Sequence, residues 1–254
     1  MPTVLTPDAL AVDAVWSPEQ VAYFQSEIER RKGSVGWYHE VTVTDRAGHS
    51  VRTPGIHACL PILAVLERFG FPRDFTGKTV LDIGCNAGFY SSVAKVRGAR
   101  SVLGIDYFQH SIEQARLLRD ILQLDIDFRQ GDGEALGEGL GPFDVVINTG
   151  VMYHLQNPMQ FLSNMARLTT ELMFLESEML VDSRHSEYAW FIEHEYNRDL
   201  SNWWIYGPEC LGRMVRAAGF SRAEFKGFAW TPARGEKTPE GLDRQGRGVM
   251  LCWK

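Results

Sequence analysis

Short apolar segments alternate with amphipathic segments along most of the chain. From residue 78 onward, mostly apolar runs are followed by stretches in which apolar residues recur at helical spacing. The predicted strands cover residues 80–83, 101–105, 126–129, 143–148, 171–176, 224–228 and 249–253. Strands that alternate with helices indicate an α/β fold, here a doubly wound, mostly parallel seven-stranded sheet.

Helix signals separate these strands. A Ser-x-x-Gln capping box predicts a helix over residues 111–123. Asn157-Pro158 predicts a helix start, because asparagine favours the N-cap and proline favours the first helical position. Residues 208–218 predict another helix, with proline at the start and Gly219 just beyond the end.

Residues 1–75 are predicted to form an extension that precedes the sheet. Ser17-Pro18 is a typical helix start, residues 38–53 alternate and turn like a β-hairpin, and residues 59–69 have helical spacing. The main domain is then 76–254, with residues 181–206 inserted as a cover after the fifth strand.

Composition narrows the functional classes. Hydrophobic residues make up 44% and charged residues 23%, which is typical of a soluble globular protein. A net charge of −6 disfavours a large nucleic-acid footprint without excluding one basic face. No apolar run has the length of a membrane span, and the N-terminus does not resemble a signal peptide. The four cysteines are scattered, so we expect reduced thiols and a cytoplasmic location.

The strongest local motif is the glycine turn after the first strand of the sheet. Asp82, Gly84 and Gly88 form the pattern D-x-G-x-x-x-G between a strand and a helix. Glycine permits positive φ and a close approach of the backbone to a ligand, and the helix start offers unpaired N–H groups. The G-x-G-x-x-G spacing of dinucleotide-binding folds is absent.

This turn resembles motif I of class I S-adenosylmethionine-dependent methyltransferases, which implies a Rossmann-like methyltransferase fold. The resemblance continues at the ends of the next strands, where the family binds ribose, adenine and the sulfonium region. It implies these cofactor contacts: Asp82, Gly84, Cys85, Asn86, Gly88, Tyr90, Asp106, Tyr107, Asp132, Gly133, Glu134, Asn148, Thr149 and Gly150. A doubly wound domain that binds another nucleotide is the alternative.

Residues 143–158 contain Gly150-Val151-Met152-Tyr153-His154, followed by Pro158. This segment is similar to the G-V-L-Y-H-x-x-x-P segment of bacterial tRNA wobble-uridine carboxymethyltransferases and their methyltransferase relatives.

The carboxymethyltransferases hold a carboxylated cofactor with a lysine, a tyrosine and an arginine, and the resemblance implies Lys32, Tyr153 and Arg247 in these roles. A tryptophan and a second lysine expected before motif I have no clear counterparts, and the chain is acidic. We therefore expect ordinary S-adenosylmethionine and a small-molecule acceptor. Carboxy-S-adenosylmethionine with a tRNA substrate is the alternative.

Methyl transfer is an in-line displacement that depends mainly on positioning. Tyr153, His154 and Glu176 are the candidate catalytic residues, and His154 suits a general base. A structural histidine and a glutamate that accepts backbone hydrogen bonds are the alternatives.

The aromatic and acidic segment 181–206 predicts a pocket wall for a cationic or amine acceptor, or else a helix packed on the core. No metal site is expected from the histidine and acid spacing. The oligomeric state is left open, with a homodimer among the alternatives.

Overall fold

The structure is a computed structural model that describes residues 3–6, 9–33, 36–137, 139–196, 199–231 and 245–254. The chain forms two compact units. The first contains Met1–Glu67 and Pro72–Asp132, and the second contains Arg68–Phe71 and Gly133–Lys254.

The first unit contains the extension and the first part of the α/β domain. Its elements, in chain order, are β1 (Val4–Leu5), β2 (Leu10–Ala11), α1 (Pro18–Arg30), β3 (His39–Glu40), β4 (Thr42–Thr44), β5 (Ser50–Arg52), β6 (His57–Ala58), α2 (Cys59–Arg68), β7 (Thr79–Ile83), α3 (Phe89–Val96), β8 (Ser101–Asp106), α4 (Gln109–Leu122) and β9 (Asp127–Gln130).

Three parallel strands form the core of the first unit. β7 pairs with β8 and β8 pairs with β9, with Ile83 opposite Ile105 and Asp106 opposite Gln130. Val80 and Leu81 are fully buried. Two consecutive apolar residues are buried here because both faces of a parallel sheet are covered. This register brings the turn after β7 and the ends of β8 and β9 to one edge.

The extension contains the predicted hairpin. β4 and β5 pair antiparallel, with Thr42 opposite Arg52, and β2 and β1 continue the same small sheet. Residues 38–44 do not form one strand, however, because β3 pairs with β6 instead. The extension is tied to the α/β part by the Gln114 amide, which donates to the carbonyls of Arg31 and Gly36 at 2.8 and 2.9 Å.

The helix α1 begins with a complete capping box. The Ser17 hydroxyl accepts from the Gln20 N–H at 3.2 Å, and the Gln20 side chain accepts from the Ser17 N–H at 2.9 Å. We expect Ser17→Ala to lower the free energy of unfolding by about 1 kcal/mol, because one N–H of the first turn loses its acceptor. Urea denaturation measures this loss. Ser26→Ala in the same helix is the control, and an equal loss there would contradict the capping role.

The capping box predicted at Ser111 is wrong. The helix α4 begins at Gln109, with Phe108 at the N-cap, and Ser111 is buried inside it. The reason is a tertiary one: the Asp106 carboxylate at the end of β8 accepts from the Phe108 N–H at 2.9 Å and sets the entry of the helix.

The second unit contains the rest of the domain. Its elements are β10 (Phe143–Thr149), α5 (Pro158–Leu168), β11 (Thr169–Leu180), β12 (Ala189–Phe191), β13 (Trp204–Tyr206), α6 (Pro208–Ala217), β14 (Arg222–Trp230) and β15 (Gln245–Trp253). β11 pairs in parallel with β10 and antiparallel with β15, which in turn pairs antiparallel with β14.

The prediction of four strands for this part of the chain is wrong, because its described residues form six. The two additional strands, β12 and β13, form an antiparallel hairpin in the segment predicted as the cover, and β13 joins β11 beside Met179. The alternative of an aromatic helix is therefore wrong as well. Aromatic and β-branched residues favour a pleated surface. Ile205 of the hairpin is buried in one cluster with Leu180 and Ile192.

Candidate functional site

The turn after β7 is built from three positive φ angles. Gly84, Asn86 and Gly88 have φ of 72°, 48° and 78°. The N–H groups of Gly84 and Cys85 both donate to the Ile105 carbonyl, at 2.8 and 3.0 Å, so the turn is anchored on β8. The backbone conformation of the motif therefore depends on glycine, as the sequence predicts.

Gly88 also has no room for a side chain. A Cβ there would lie 2.7 Å from Phe128 Cζ and 3.0 Å from the Ala115 Cβ. We expect Gly88→Ala to cost about 3 kcal/mol, the sum of left-handed backbone strain and overpacking.

Gly77→Ala is the matched control, because Gly77 has φ of +74° and nothing within 4 Å of its Cβ position. It should cost only the strain, about 1 kcal/mol. Urea denaturation compares the two, and equal losses would contradict the overlap at Gly88.

Asp82 is fully buried beneath this turn. Its Oδ2 accepts from the Ser91 hydroxyl at 2.6 Å, while Oδ1 has no hydrogen-bond partner within the described part of the chain. Burial raises the pKa of Asp82 to about 7, although Ser91 lowers it. A buried carboxylate oxygen without a donor fits a cationic amino group, so this residue suits the amino-acid end of S-adenosylmethionine.

The raised pKa of Asp82 has a consequence for stability. The folded value of about 7 exceeds the ordinary value of 3.8, so the folded state binds the proton more strongly. Stability contributed by this group is complete at low pH and is lost as pH rises from about 4 through about 7.

We therefore expect the free energy of unfolding of Asp82→Asn to increase relative to that of wild type as pH rises through that window, because the neutral amide does not titrate. The two curves should diverge by up to about 1.4 kcal/mol per pH unit. Denaturation at several pH values measures the difference, and parallel curves would contradict it.

Asp106 ends β8 and is nearly buried. Its Oδ2 accepts from the Asn86 N–H at 2.8 Å and its Oδ1 from the Phe108 N–H at 2.9 Å. Burial raises the pKa of Asp106, and the two backbone hydrogen bonds lower it. A carboxylate oxygen can accept two hydrogen bonds, so the oriented Asp106 carboxylate can accept further hydrogen bonds from a ligand. The neighbouring residue Tyr107 is 64% exposed, and its ring offers a flat face next to the carboxylate.

The predicted adenine segment is divided between the units. Asp132 follows β9 in the first unit, whereas Gly133 and Glu134 form a 3-10 turn in the second. The Glu134 carboxylate accepts from the backbone N–H and the side-chain amide of Asn157, at 3.0 and 2.8 Å. Glu134 therefore holds the start of α5, and its contact with the cofactor stays a prediction.

Asn148 is fully buried near the end of β10. Neither the nitrogen nor the oxygen of its side-chain amide has a hydrogen-bond partner among the described residues. Such groups are costly unless a ligand or water satisfies them, so Asn148 fits a polar ligand. Thr149 and Gly150 complete the strand end, and the Gly150 N–H donates to the Glu176 carbonyl at 3.0 Å.

Arg247 connects the predicted residues of the second unit. Its guanidinium forms a two-pronged ion pair with Glu176, with Nη2 to Oε2 at 2.6 Å. Its Nη1 donates to the Tyr153 hydroxyl at 2.8 Å and lies 3.7 Å from Glu178 Oε1. A Cβ at Gly150 would lie 3.0 Å from Arg247 Nη2, so glycine leaves space for the guanidinium.

Arg247, Glu176 and Tyr153 form a cluster that contains one more acidic residue than the sequence predicted. Glu178 has no role in the prediction, yet it lies two residues beyond Glu176 on the same face of β11. Burial raises the pKa of Glu178, Arg247 lowers it, and Glu176 raises it. Period-two spacing along β11 was the signal that could have found it.

His154 makes its contacts with the loop before β13. Its Nδ1 lies 2.9 Å from the Ser201 hydroxyl and 3.2 Å from the Ser201 carbonyl, and Ser201 Oγ donates to Asp199 Oδ1 at 2.6 Å. Burial lowers the pKa of His154. The Tyr153 ring packs at 4.2 Å between centroids. Ser201 and Asp199 were missed because no local pattern pairs them with His154.

The remaining predicted residues lie in the first unit. Lys32 follows α1, is half-exposed and pairs with Glu29 at 3.5 Å. Tyr90 is buried in the first turn of α3 with its ring 5.9 Å from that of His39. Cys85 is buried, and burial raises the pKa of its thiol well above the ordinary value.

The described residues contain neither a cluster of metal ligands nor a helix suited to a membrane. No group of three or more histidine, cysteine, aspartate or glutamate side chains is arranged to hold a metal ion. No described helix is both long enough and apolar enough to cross a membrane.

The comparisons with known proteins agree with the motifs. A family model described as a methyltransferase domain matches residues 74–212, more than half of the chain. The chain belongs to this methyltransferase family. The predicted enzyme class is thereby confirmed.

Two kinds of methyltransferase are similar in sequence to this one. The ubiquinone biosynthesis O-methyltransferase of Ruegeria pomeroyi is 29% identical over 179 residues, which cover 64% of this chain and 68% of that protein. The tRNA U34 carboxymethyltransferase of Pseudomonas putida strain W619 is 28% identical over 182 residues, which cover 70% of this chain and 56% of that protein. The chain thus spans only about half the length of the tRNA enzyme that it matches.

Solved structures confirm the α/β fold of the methyltransferase. The N-terminal domain of EvdMO1, crystallised in the presence of SAH and D-fucose, has a TM-score of 0.64 at 17% identity and covers 91% of this chain and 96% of its own. The YcgJ protein of Bacillus subtilis has a TM-score of 0.59 at 14% identity and covers 76% and 98%.

Proposed function

We propose that this methyltransferase transfers the methyl group of ordinary S-adenosylmethionine to a small-molecule acceptor. The observation that carries the choice of cofactor is the Arg247 ion pair. The guanidinium already binds Glu176 through two hydrogen bonds and has Glu178 beside it at 3.7 Å.

The local charge disfavours a carboxylated cofactor. Among the described residues, one arginine against two glutamates leaves the cluster without an excess positive charge when both acids are ionised. A further carboxylate would have to displace Glu176 or lie beside it, and like charges at such distances repel. The methyl group of ordinary S-adenosylmethionine needs no anion-binding arginine.

Residues of the first unit would hold the cofactor. In the first unit, Asp82 Oδ1 suits the amino group and the Asp106 carboxylate suits the ribose hydroxyls. In the second unit, the Asn148 amide has no hydrogen-bond partner among the described residues and suits a polar ligand. The bound cofactor supplies a methyl group on a cationic sulfur, and the chain supplies binding and orientation.

The proposal of a small acceptor is supported by charge and by the aromatic hairpin. The net charge of −6 disfavours a long polyanion. In the hairpin, the Phe191 ring lies 4.9 Å from that of Trp204 and 6.4 Å from that of Trp203. Phe191 is exposed, whereas Trp203 and Trp204 are partly buried. Aromatic rings grouped in this way typically line small-molecule pockets.

The alternative is a carboxymethyltransferase that acts on the wobble uridine of tRNA. One contact favours it: Tyr153 and Arg247, two of the three residues implied for the extra carboxylate, are hydrogen-bonded at 2.8 Å. The similar protein from P. putida is a tRNA U34 carboxymethyltransferase.

Calorimetry with both cofactor forms separates the two functions. We expect ordinary S-adenosylmethionine to bind wild-type protein at least as tightly as the carboxylated form, and Tyr153→Phe to leave their ratio unchanged. Carboxylated cofactor that binds ten times more tightly, with the preference lost in Tyr153→Phe, would overturn the proposal. Transfer of labelled methyl groups to small molecules but not to bulk tRNA tests the acceptor class.

We also propose a cytoplasmic location. All four cysteines, Cys59, Cys85, Cys210 and Cys252, are free thiols, which suits a reducing compartment.

A further inference from the structure

A chain of hydrogen bonds leads from an acid to His154. The Ser201 hydroxyl lies 2.6 Å from Asp199 Oδ1, and the same hydroxyl lies 2.9 Å from His154 Nδ1. The Ser201 backbone N–H also donates to Asp199 Oδ1 at 2.8 Å, which fixes the carboxylate relative to the serine. The three residues are held in one geometry from acid to ring.

The contacts determine which ring nitrogen carries the proton. The Ser201 carbonyl, 3.2 Å from His154 Nδ1, can only accept, so Nδ1 must carry the hydrogen. The Asp199 carboxylate also only accepts, so the serine hydroxyl donates to it and turns a lone pair toward Nδ1. In the neutral ring, the lone pair therefore lies on Nε2.

We propose that His154 Nε2 is the general base of the reaction and that Asp199 and Ser201 are its positioning residues. The proposal rests on the proposed methyl transfer. It also names the acceptor class, because a base is needed only for a nucleophile that must lose a proton. We assign a hydroxyl group, whose proton a neutral imidazole can accept.

The step balances in atoms and electrons. The proton of the acceptor hydroxyl moves to Nε2, and the oxygen electron pair forms the new bond to the methyl carbon. The bond from sulfur to that carbon breaks, and its pair returns to sulfur, which becomes a neutral thioether. The proton then passes from Nε2 to water, and the serine and aspartate stabilise the transient imidazolium.

The surroundings suit a base that is neutral at physiological pH. Burial lowers the pKa of His154, the Ser201 backbone and Asp199 raise it, and Arg247 lowers it. The Tyr153 ring packs beside the imidazole, with 4.2 Å between the ring centroids. A second contact holds the loop that contains Asp199 and Ser201: the backbone N–H of Trp203 donates to the Tyr153 carbonyl at 2.7 Å.

Long-range proton–nitrogen NMR of histidine-labelled protein tests the tautomer without any substrate. We expect His154 to be neutral at pH 7 with hydrogen on Nδ1, and to titrate below the ordinary histidine range. Asp199→Asn keeps the oxygen acceptor but removes the charge, so it should lower the His154 pKa further. Ser201→Ala should shift part of the population to the other tautomer. Hydrogen on Nε2 in wild type, or a charged ring at pH 7, would overturn the proposal.

Kinetics test the base itself, with 3,4-dihydroxybenzoate as the phenolic probe and 2-phenylethylamine as the amine probe. We expect His154→Gln to lower kcat for the phenol about 100-fold or more while affinity for S-adenosylmethionine is unchanged. Ser201→Ala should move the acidic limb of the pH profile, which a merely structural role would not do. A wild-type rate in His154→Gln, or methylation of the amine alone, would overturn the assignment. Absence of S-adenosylmethionine binding to wild type would instead defeat the proposed function, whatever the tautomer.

Discussion

Glu176→Ala is expected to lower the free energy of unfolding by about 3 kcal/mol, the largest stability loss among the variants of the Arg247 cluster. The Glu176 side chain is 5% exposed and that of Arg247 is 24% exposed, so the ion pair is largely shielded from water. Removal of the carboxylate leaves a guanidinium without its two-pronged partner. Glu178, at 3.7 Å, can compensate only in part, which sets the loss at the lower end of the range for buried pairs.

The double variant Glu176→Ala/Arg247→Met is the matched control for this loss. Because removal of both charges leaves no uncompensated ion, we expect it to be more stable than Glu176→Ala alone. Urea denaturation of the single and double variants completes the comparison. A single variant as stable as wild type would show that the ion pair contributes nothing measurable.

Asp106→Ala is expected to weaken S-adenosylmethionine binding about 100-fold or more. Hydrogen bonds to a charged group contribute about 1.5–3 kcal/mol each, and the proposed ribose contact uses two of them. The carboxylate is already oriented by the N–H groups of Asn86 and Phe108, so little entropy is lost when the ribose binds. Calorimetry measures the change in affinity.

Asp106→Asn provides the control for folding, since it keeps one oxygen acceptor and nearly the same volume. Thermal denaturation without ligand shows whether either variant is folded at the temperature of the binding experiment. A folded Asp106→Ala protein that binds S-adenosylmethionine with wild-type affinity would remove Asp106 from the cofactor site.

The cluster around Arg247 also explains why charged residues occur in a buried strand. Glu176 and Glu178 lie two positions apart on β11, so both side chains point to one face. The antiparallel register places Arg247 directly opposite Glu178 and next to the pair of acids. The charges are retained in the interior because each has a partner there.

Much of this molecule was determined by local sequence. Apolar runs predicted the α/β fold, and Gly84 and Gly88 predicted the turn because glycine adopts positive φ angles without strain. The Ser17 cap was also predictable from local sequence, because its partner Gln20 lies only three residues away. Motif resemblance placed Asp82 and Asp106 at strand ends, where the structure has them.

Other features were decided only by tertiary structure. The start of α4 follows the Asp106 carboxylate rather than the capping box at Ser111, and the cover segment became a strand hairpin by pairing beside β11. Tyr153 and Arg247 are 94 positions apart, and His154 and Ser201 are 47 apart. Propensity acts over a few residues, whereas such contacts depend on strand register and loop packing. The sequence therefore named Tyr153, His154, Glu176 and Arg247, but only the folded chain determined which of their atoms meet, such as His154 Nδ1 and the Ser201 hydroxyl.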